Sequence, residues 1–341
     1  MKKSLFVFCG LLLLSFIVYF AYILAFSANF EDDSNGEFIF VEDGKKTSEL
    51  IDEVSEKGFV KRPWTLRLFS QIHKRETLKA GAYKLSSGIS NLDFLRKVYF
   101  NNQTPILLKY NNIRLKSQLV SKICSQTNID SVVLSQMLSD DELLKEFGRT
   151  SEDILTLFIP NTYEVYWTIS PKSLLRRMHR EYKAFWTDER RKKAASIPLS
   201  EVEVSILASI VEEESNKVDE QPLIAGLYIN RLRIGMKLQA DPTARYALGD
   251  FSINQVYHSH TQIDSPYNTY MYEGLPPGPI RIPSIAAIDA VLNYQKHDYL
   301  YMCAKPELNG YHNFAKTYMQ HQQYAYLYYK ALRQWKIRNG K

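Results

Sequence analysis

The chain has 341 residues, 45% of them hydrophobic, with 43 Lys and Arg against 37 Asp and Glu for a formal charge of +6. That length suits two or three modest domains, and the cationic residues are scattered except for Arg190, Arg191, Lys192 and Lys193, which excludes a nucleic-acid stripe. Three cysteines, with Cys9 inside an apolar run, leave Cys124 and Cys303 as the possible pair and exclude a disulfide framework.

Leu5 to Phe26 carries no charge and follows Lys2 and Lys3. About 20 apolar residues cross a bilayer, whereas the apolar region of a cleaved signal is about 7–15 residues. The reading is a transmembrane anchor over 1–27, with Lys2 and Lys3 held inside and the rest of the chain exported. Cleavage near Ser27 and Ala28 is the alternative, and either way the body works outside the cytoplasm.

An acidic linker, 28–36, leads to a strand over Glu37–Val41, helices near Thr47–Lys57 and Pro63–Lys74, and a returning strand over Ala80–Leu85 that turns at Ser86, Ser87 and Gly88. This is a small βααβ module. A strand near Ile106–Tyr110, helices near Leu115–Ser125 and Asp130–Met137, an aromatic segment over Phe158–Trp167 and one helix over Pro171–Ala195 follow, with a boundary near Ile197–Ser200.

The next helix carries Glu212, Glu213 and Glu214 in succession. At about 100° per residue, Val204, Ile206, Leu207, Ile210 and Val211 gather on one face. Glu214 continues that face, while Glu212 points away and Glu213 sits at its edge, so two glutamates are expected in solvent. A carboxyl on a buried stripe is either ion-paired, here with Arg231 or Arg233, or has its pKa raised as a general acid near neutral pH needs.

Asp219 is placed to cap a following helix whose inward face is Leu223, Ile224, Leu227 and Tyr228, ending at Gly235. Met236–Gln239 reads as a strand running into an Asp241-Pro-Thr243 turn. Two polar loops follow, Ser265–Tyr270 and Gly274–Ile280, the second stiffened by Pro276, Pro277 and Pro279. Of 23 tyrosines, 15 lie at or beyond Tyr228, which suits a groove where rings stack on sugars, although those in Tyr324–Tyr329 also suit a packed terminal helix.

The chain lacks a His-Glu-x-x-His pair, a Gly-x-Ser-x-Gly elbow, a Ser-x-x-Lys and a phosphate-binding glycine loop. His258 and His260 lack the further ligands a metal site needs, so no metal and no cofactor are expected.

Leu207–Glu214, Ile229–Thr243, Tyr267–Tyr270, Gly274–Ile280 and His312-Asn-Phe314 stand in the order found in the membrane-anchored endolytic murein transglycosylases, the YceG-like proteins, and the chain resembles that family. Lys79-Ala-Gly-Ala-Tyr83 and Phe158-x-Pro-x-Thr162 match more loosely. The chain departs from the family pattern at Glu213, where a basic residue usually stands.

The resemblance implies an α+β fold with a single transmembrane helix, a LysM-like module over 37–110, a mostly helical connection over 111–199 and a YceG-like catalytic domain over 200–341 built around the glutamate helix. It implies Glu214, followed by Ser215, as the catalytic residue, with Gln239, Asp241, Thr243, Tyr267, Asn268 and Tyr270 contacting sugar. The implied activity is non-hydrolytic cleavage of peptidoglycan glycan strands at the bacterial membrane, beside peptidoglycan synthases of the penicillin-binding class. A hydrolytic muramidase with Asp241, Asp264 or Glu273 as a second carboxylate, and a silent peptidoglycan-binding scaffold, are the alternatives.

Overall fold

The uncharged N-terminal run forms helix α1, Lys2–Ala25, in a computed structural model that describes residues 2–73, 75–253 and 255–339. The helix is long and apolar enough to cross a membrane. Only Leu24 and Ala25 at its end are buried, so nearly all of its apolar surface lacks protein cover.

The chain divides into two compact units. In the first, β1 (Phe38–Val41) pairs antiparallel with β2 (Gly81–Lys84), Ile39 lying opposite Tyr83. Helices α2 (Thr47–Glu56), α3 (Pro63–His73) and α4 (Asn91–Tyr99) and the paired strands β3 (Ile106–Lys109) and β4 (Thr162–Val165) complete the strand and helix set. Alternation puts Ile39 and Val41 inside, and helical periodicity adds Leu50, Ile51 and Val54 from α2 and Phe94, Leu95 and Val98 from α4. Sequence reading found the βααβ elements but not α4, which Ser90 caps by accepting from Asp93 N–H.

The acidic stretch 28–36 is packed into this unit instead of hanging free. Phe30 is buried with its ring 4.7 Å from that of Phe94. Asn29 is fully buried, accepts from Arg62 N–H at 2.9 Å and donates to Asn91 Oδ1 at 2.7 Å, and Asn91 donates to the Leu24 carbonyl at 2.8 Å. Satisfied buried polar networks of this kind fix geometry. The exit of α1 is therefore bound to α3 and α4.

The second unit takes in most of 111–199 together with 200–341. Its elements run α5 (Lys116–Cys124), α6 (Ser131–Met137), α7 (Asp141–Leu144), α8 (Pro171–Phe185), α9 (Asp188–Ser196), α10 (Glu201–Glu214), α11 (Gln221–Arg233), α12 (Asp241–Leu248), α13 (His258–Thr261), α14 (Ile285–Leu292), the hairpin β5 (Tyr301–Ala304) and β6 (His312–Ala315), and α15 (Tyr318–Arg338). The single helix expected over Pro171–Ala195 is two. Fully buried Trp186 interrupts it, and Thr187 starts α9 by accepting from Arg190 N–H. No break separates 199 from 200, since α9 packs on both α10 and α14 and Arg190 pairs with Asp289 at 3.0 Å.

Helix α10 lies at the centre, packed against α14, α11, α12 and α9. Every residue from Val204 to Val211 is buried, including Ser205, Ala208 and Ser209, so this helix has no solvent face along that stretch. Its start is a capping box, with Ser200 N–H on Glu203 Oε2 at 2.7 Å and Glu203 N–H on Ser200 Oγ at 3.2 Å. Buried Ser209 accepts from Ile280 N–H at 3.1 Å, which pins the proline-rich loop to the helix. Within that loop a Cβ on Gly278 would collide with the Glu152 carbonyl, so only glycine fits.

Two further local readings are corrected. Glu220, not Asp219, occupies the N-cap position of α11, and the Tyr311 hydroxyl donates to Asp219 instead. Met236–Gln239 is not a strand: Gln239 takes a left-handed φ of +48° that breaks extended geometry.

Candidate active site

A polar cavity of about 620 Å³ opens beside the end of α10, lined by Glu214 together with α11, the 238–245 turn, β5, β6 and α15. A hollow of about 680 Å³ near Ile197–Val202 and Gly274–Pro277 is similar in size. Its charged residues are already committed, Glu203 to the helix cap and Arg233 to the Tyr294 hydroxyl at 2.8 Å. The chemistry therefore gathers in the first.

The three glutamates of α10 have three environments. Glu213 is paired on both sides, with Arg114 Nη2 at 2.9 Å and Arg281 Nη1 at 2.8 Å. Glu212 accepts from Ser284 N–H at 2.8 Å. Neither is the solvated residue that helical spacing suggested, because the arginines and the start of α14 cover that side. The negative charge that Glu213 adds to the family pattern is neutralised by these two guanidinium groups.

Glu214 has no ion pair among the described residues. Arg231, a candidate partner on sequence, donates to the carbonyls of Leu300 and Leu238, each at 2.6 Å, and Arg233 lies with Tyr294. The Glu214 carboxyl takes one hydrogen bond, from the Tyr228 hydroxyl at 2.6 Å. It keeps some exposure into the cavity, yet protein encloses it closely enough that desolvation pushes its pKa up to about 7. The Tyr228 bond works against that rise, nearby Asp241 adds to it, and His312 and Arg231 oppose it. Burial, more than any single neighbour, makes this carboxyl a neutral-pH acid.

Gln239, Asp241 and Tyr270 line the same cavity, and the Tyr270 hydroxyl donates to Asp241 Oδ1 at 2.5 Å. Three other expected sugar contacts lie elsewhere. Thr243 is fully buried, its hydroxyl on the Ala240 carbonyl at 2.7 Å and against Thr269 Oγ1 at 2.8 Å. Asn268 is fully buried and donates to the carbonyls of Thr261 and Ile263 at 3.1 and 2.8 Å. Both build the loops here, as small polar side chains in tight turns satisfy backbone groups. Tyr267 lines a separate hollow with Tyr246, Ser151 and Glu152.

Those buried bonds explain the wall that Gln239 forms. Gln239 N–H donates to the Thr269 carbonyl at 3.1 Å and Ala240 N–H to Thr269 Oγ1 at 3.0 Å, stitching the 239–243 turn to the 267–270 loop and holding the left-handed Gln239 in place. Of the remaining carboxylates weighed, Asp264 accepts from the Tyr272 hydroxyl outside the cavity, and Glu273 does not line it.

Sequence reasoning missed Arg245 and His321, and it weighed Tyr301, Tyr318, Tyr328 and Tyr329 only as part of the late tyrosine enrichment; all six line the cavity. It placed Tyr228 on the inward face of its helix and at the start of the tyrosine-rich stretch, and nothing local showed that its hydroxyl bonds the Glu214 carboxyl. No described group of His, Cys, Asp and Glu could hold a metal ion. Acid and base chemistry is what this arrangement can perform.

The YceG-like family model matches residues 39–326. The chain is 29% identical over 271 residues to the endolytic murein transglycosylase of Bacillus subtilis, covering 74% of this chain and 70% of that protein. It is 26% identical to the endolytic murein transglycosylase of Streptococcus pneumoniae over 86% of this chain, and spans 59% of that longer protein. The crystal structure of a YceG-like protein from Listeria monocytogenes superposes with a TM-score of 0.56 at 25% identity, covering 84% of this chain and 98% of that one. A match that runs through both units and carries the glutamate helix places this chain in the YceG-like family.

Proposed function

We propose that this chain is an endolytic murein lytic transglycosylase with Glu214 as its single acid and base. The carrying observation is a cavity-lining carboxyl with a pKa raised to about 7, close to the pH at which a general acid works best. Glu214 gives its proton to the oxygen leaving the β-1,4 bond between N-acetylmuramic acid and N-acetylglucosamine. The resulting carboxylate takes the proton of the muramoyl C6 hydroxyl as that oxygen attacks C1. One bond breaks and one forms within the substrate, Glu214 is restored, and the product ends in 1,6-anhydromuramic acid. The names of the relatives support this reading, as does a cavity rich in tyrosine.

Asp241 favours a second reading, hydrolysis. Retaining and inverting glycosidases need two carboxyl groups, about 5–5.5 Å or about 6.5–9.5 Å apart, and Asp241 lines the same cavity as Glu214. Its bond from Tyr270 and its place on the turn beside Gln239 suit a wall of the groove better than a nucleophile.

In the same reading α1 is a single membrane span with Lys2 and Lys3 inside, which places the cavity on the outer side of the bacterial membrane near newly made strands. The βααβ elements of the first unit then serve as a LysM-like glycan contact, and a peptidoglycan synthase of the penicillin-binding class is the expected neighbour. The test is mass spectrometry of products after the full chain, in detergent, meets purified glycan strands. Anhydro ends are expected. Reducing ends would replace this reading with a muramidase, and binding without products would leave a scaffold.

A further inference from the structure

Ser215 directly follows Glu214, is buried, and donates its hydroxyl to Glu220 Oε2 at 3.1 Å. Glu220 is buried too and takes two bonds from β6, the His312 N–H at 2.7 Å and His312 Nδ1 at 2.9 Å. Burial opposes a charge on Glu220, yet the His312 bonds outweigh it and hold this carboxyl below its usual range. An ionised Glu220 can only accept, so Nδ1 is the donating nitrogen and the ring is fixed in one orientation. His312 also lines the cavity with Glu214, and no described residue bonds its Nε2. The acid–base steps above use none of these three residues.

Resting on the assignment of Glu214, we propose that Glu220 and His312 form a positioning pair for it, clamping the end of α10 to β6 through Ser215 and presenting an imidazole edge to the reacting carboxyl. Neither is a catalytic residue. The pair spans 92 positions of sequence, so the two halves of the cavity wall meet through it. The other titratable or charged groups facing Glu214 are Tyr228 and Arg231 on α11, Asp241 on α12 and Tyr270 beyond it. Around the pair stand Asp219, bonded to Tyr311, and Lys217 and Lys305 over the Tyr311 ring, with His321 and Arg245 further along the cavity.

Two effects with opposite signs make the proposal testable. His312 opposes the rise of the Glu214 pKa, so removing it moves the alkaline limb of activity to higher pH. Mere loosening admits water, relieves the burial that is the largest cause of the raised pKa, and moves the limb lower. The experiment compares the full-length protein with its Glu214→Gln, Glu220→Gln, His312→Gln and paired Glu220→Gln/His312→Gln variants on purified glycan strands.

Expected are a kcat lower by about tenfold or more in each single pair variant, a KM within about twofold, an alkaline limb at higher pH, and a double variant about as slow as the slower single one. The limb position does not depend on how much enzyme folds, so partial unfolding leaves the readout intact. A dead Glu214→Gln with wild-type kcat and limb in the pair variants, or a limb that moves lower, overturns the positioning role alone. Turnover by Glu214→Gln removes the catalytic assignment, and the positioning role with it.

Discussion

The two sides of α10 treat adjacent glutamates in opposite ways. On one side Glu213 is ion-paired with both Arg114 and Arg281. On the other, one residue further along, the Glu214 carboxyl lines a cavity with the Tyr228 hydroxyl as its hydrogen-bond partner among the described residues, and burial raises its pKa to about 7. A helix turn of about 100° is enough to separate a structural ion pair from a carboxyl whose pKa is raised by burial. The lesson is that a run of like residues gains its different environments from what each faces: two arginines pair with Glu213, while Arg231 near Glu214 is committed to backbone carbonyls.

The largest effect that would break this comparison is in turnover. Glu214→Gln is expected to lower the rate by about a thousandfold or more with no loss of melting temperature, whereas Glu213→Gln retains the rate of the molecules that fold. Equal losses from both would mean the two sides are not distinct. In stability the order reverses. Glu213→Ala leaves two arginines without their shared partner and is expected to cost about 3 kcal/mol in urea unfolding, at the low end for buried pairs because Arg114 is partly exposed.

The pH dependence of stability sharpens the same contrast. Between about 4.5 and 7 the folded state keeps a proton on Glu214 that the unfolded chain has lost, so folding weakens as pH rises through that window, by about 3 kcal/mol at most. Glu214→Gln should flatten this slope, and a slope that survives the substitution assigns it to another group. A smaller cost, about 1–3 kcal/mol, is expected for Gly278→Ala, where the new methyl meets the Glu152 carbonyl and shifts the loop pinned to Ser209. Smallest is Tyr228→Phe. It removes the one bond that favours the Glu214 anion, so the alkaline limb of activity should move higher with a rate loss of about tenfold.

Much of this was legible in the sequence, and the exceptions share a cause. The apolar N-terminal run, the βααβ elements and the glutamate helix follow from local patterns, and the face argument set Glu214 apart from Glu212 and Glu213 without knowledge of its neighbours. What stayed hidden depends on contacts across long stretches of chain. Arg114 lies 99 residues from Glu213 and His312 lies 92 from Glu220, so the charge balance of α10 could not be read locally. The burial of Thr243 and Asn268 was hidden too, because residue type alone does not tell an exposed side chain from one that closes a turn. The helix over 171–195 was read as continuous because Trp186 breaks it by burial in the core, not by a proline or glycine.

The most direct test of the central claim is a carboxyl titration of the full-length protein labelled with carbon-13 glutamate, followed by infrared difference spectroscopy against Glu214→Gln. The account predicts one carboxyl with a midpoint near 7 that is absent from the variant. A spectrum in which every glutamate titrates in the ordinary range, about 4.2 ± 0.9, would contradict it.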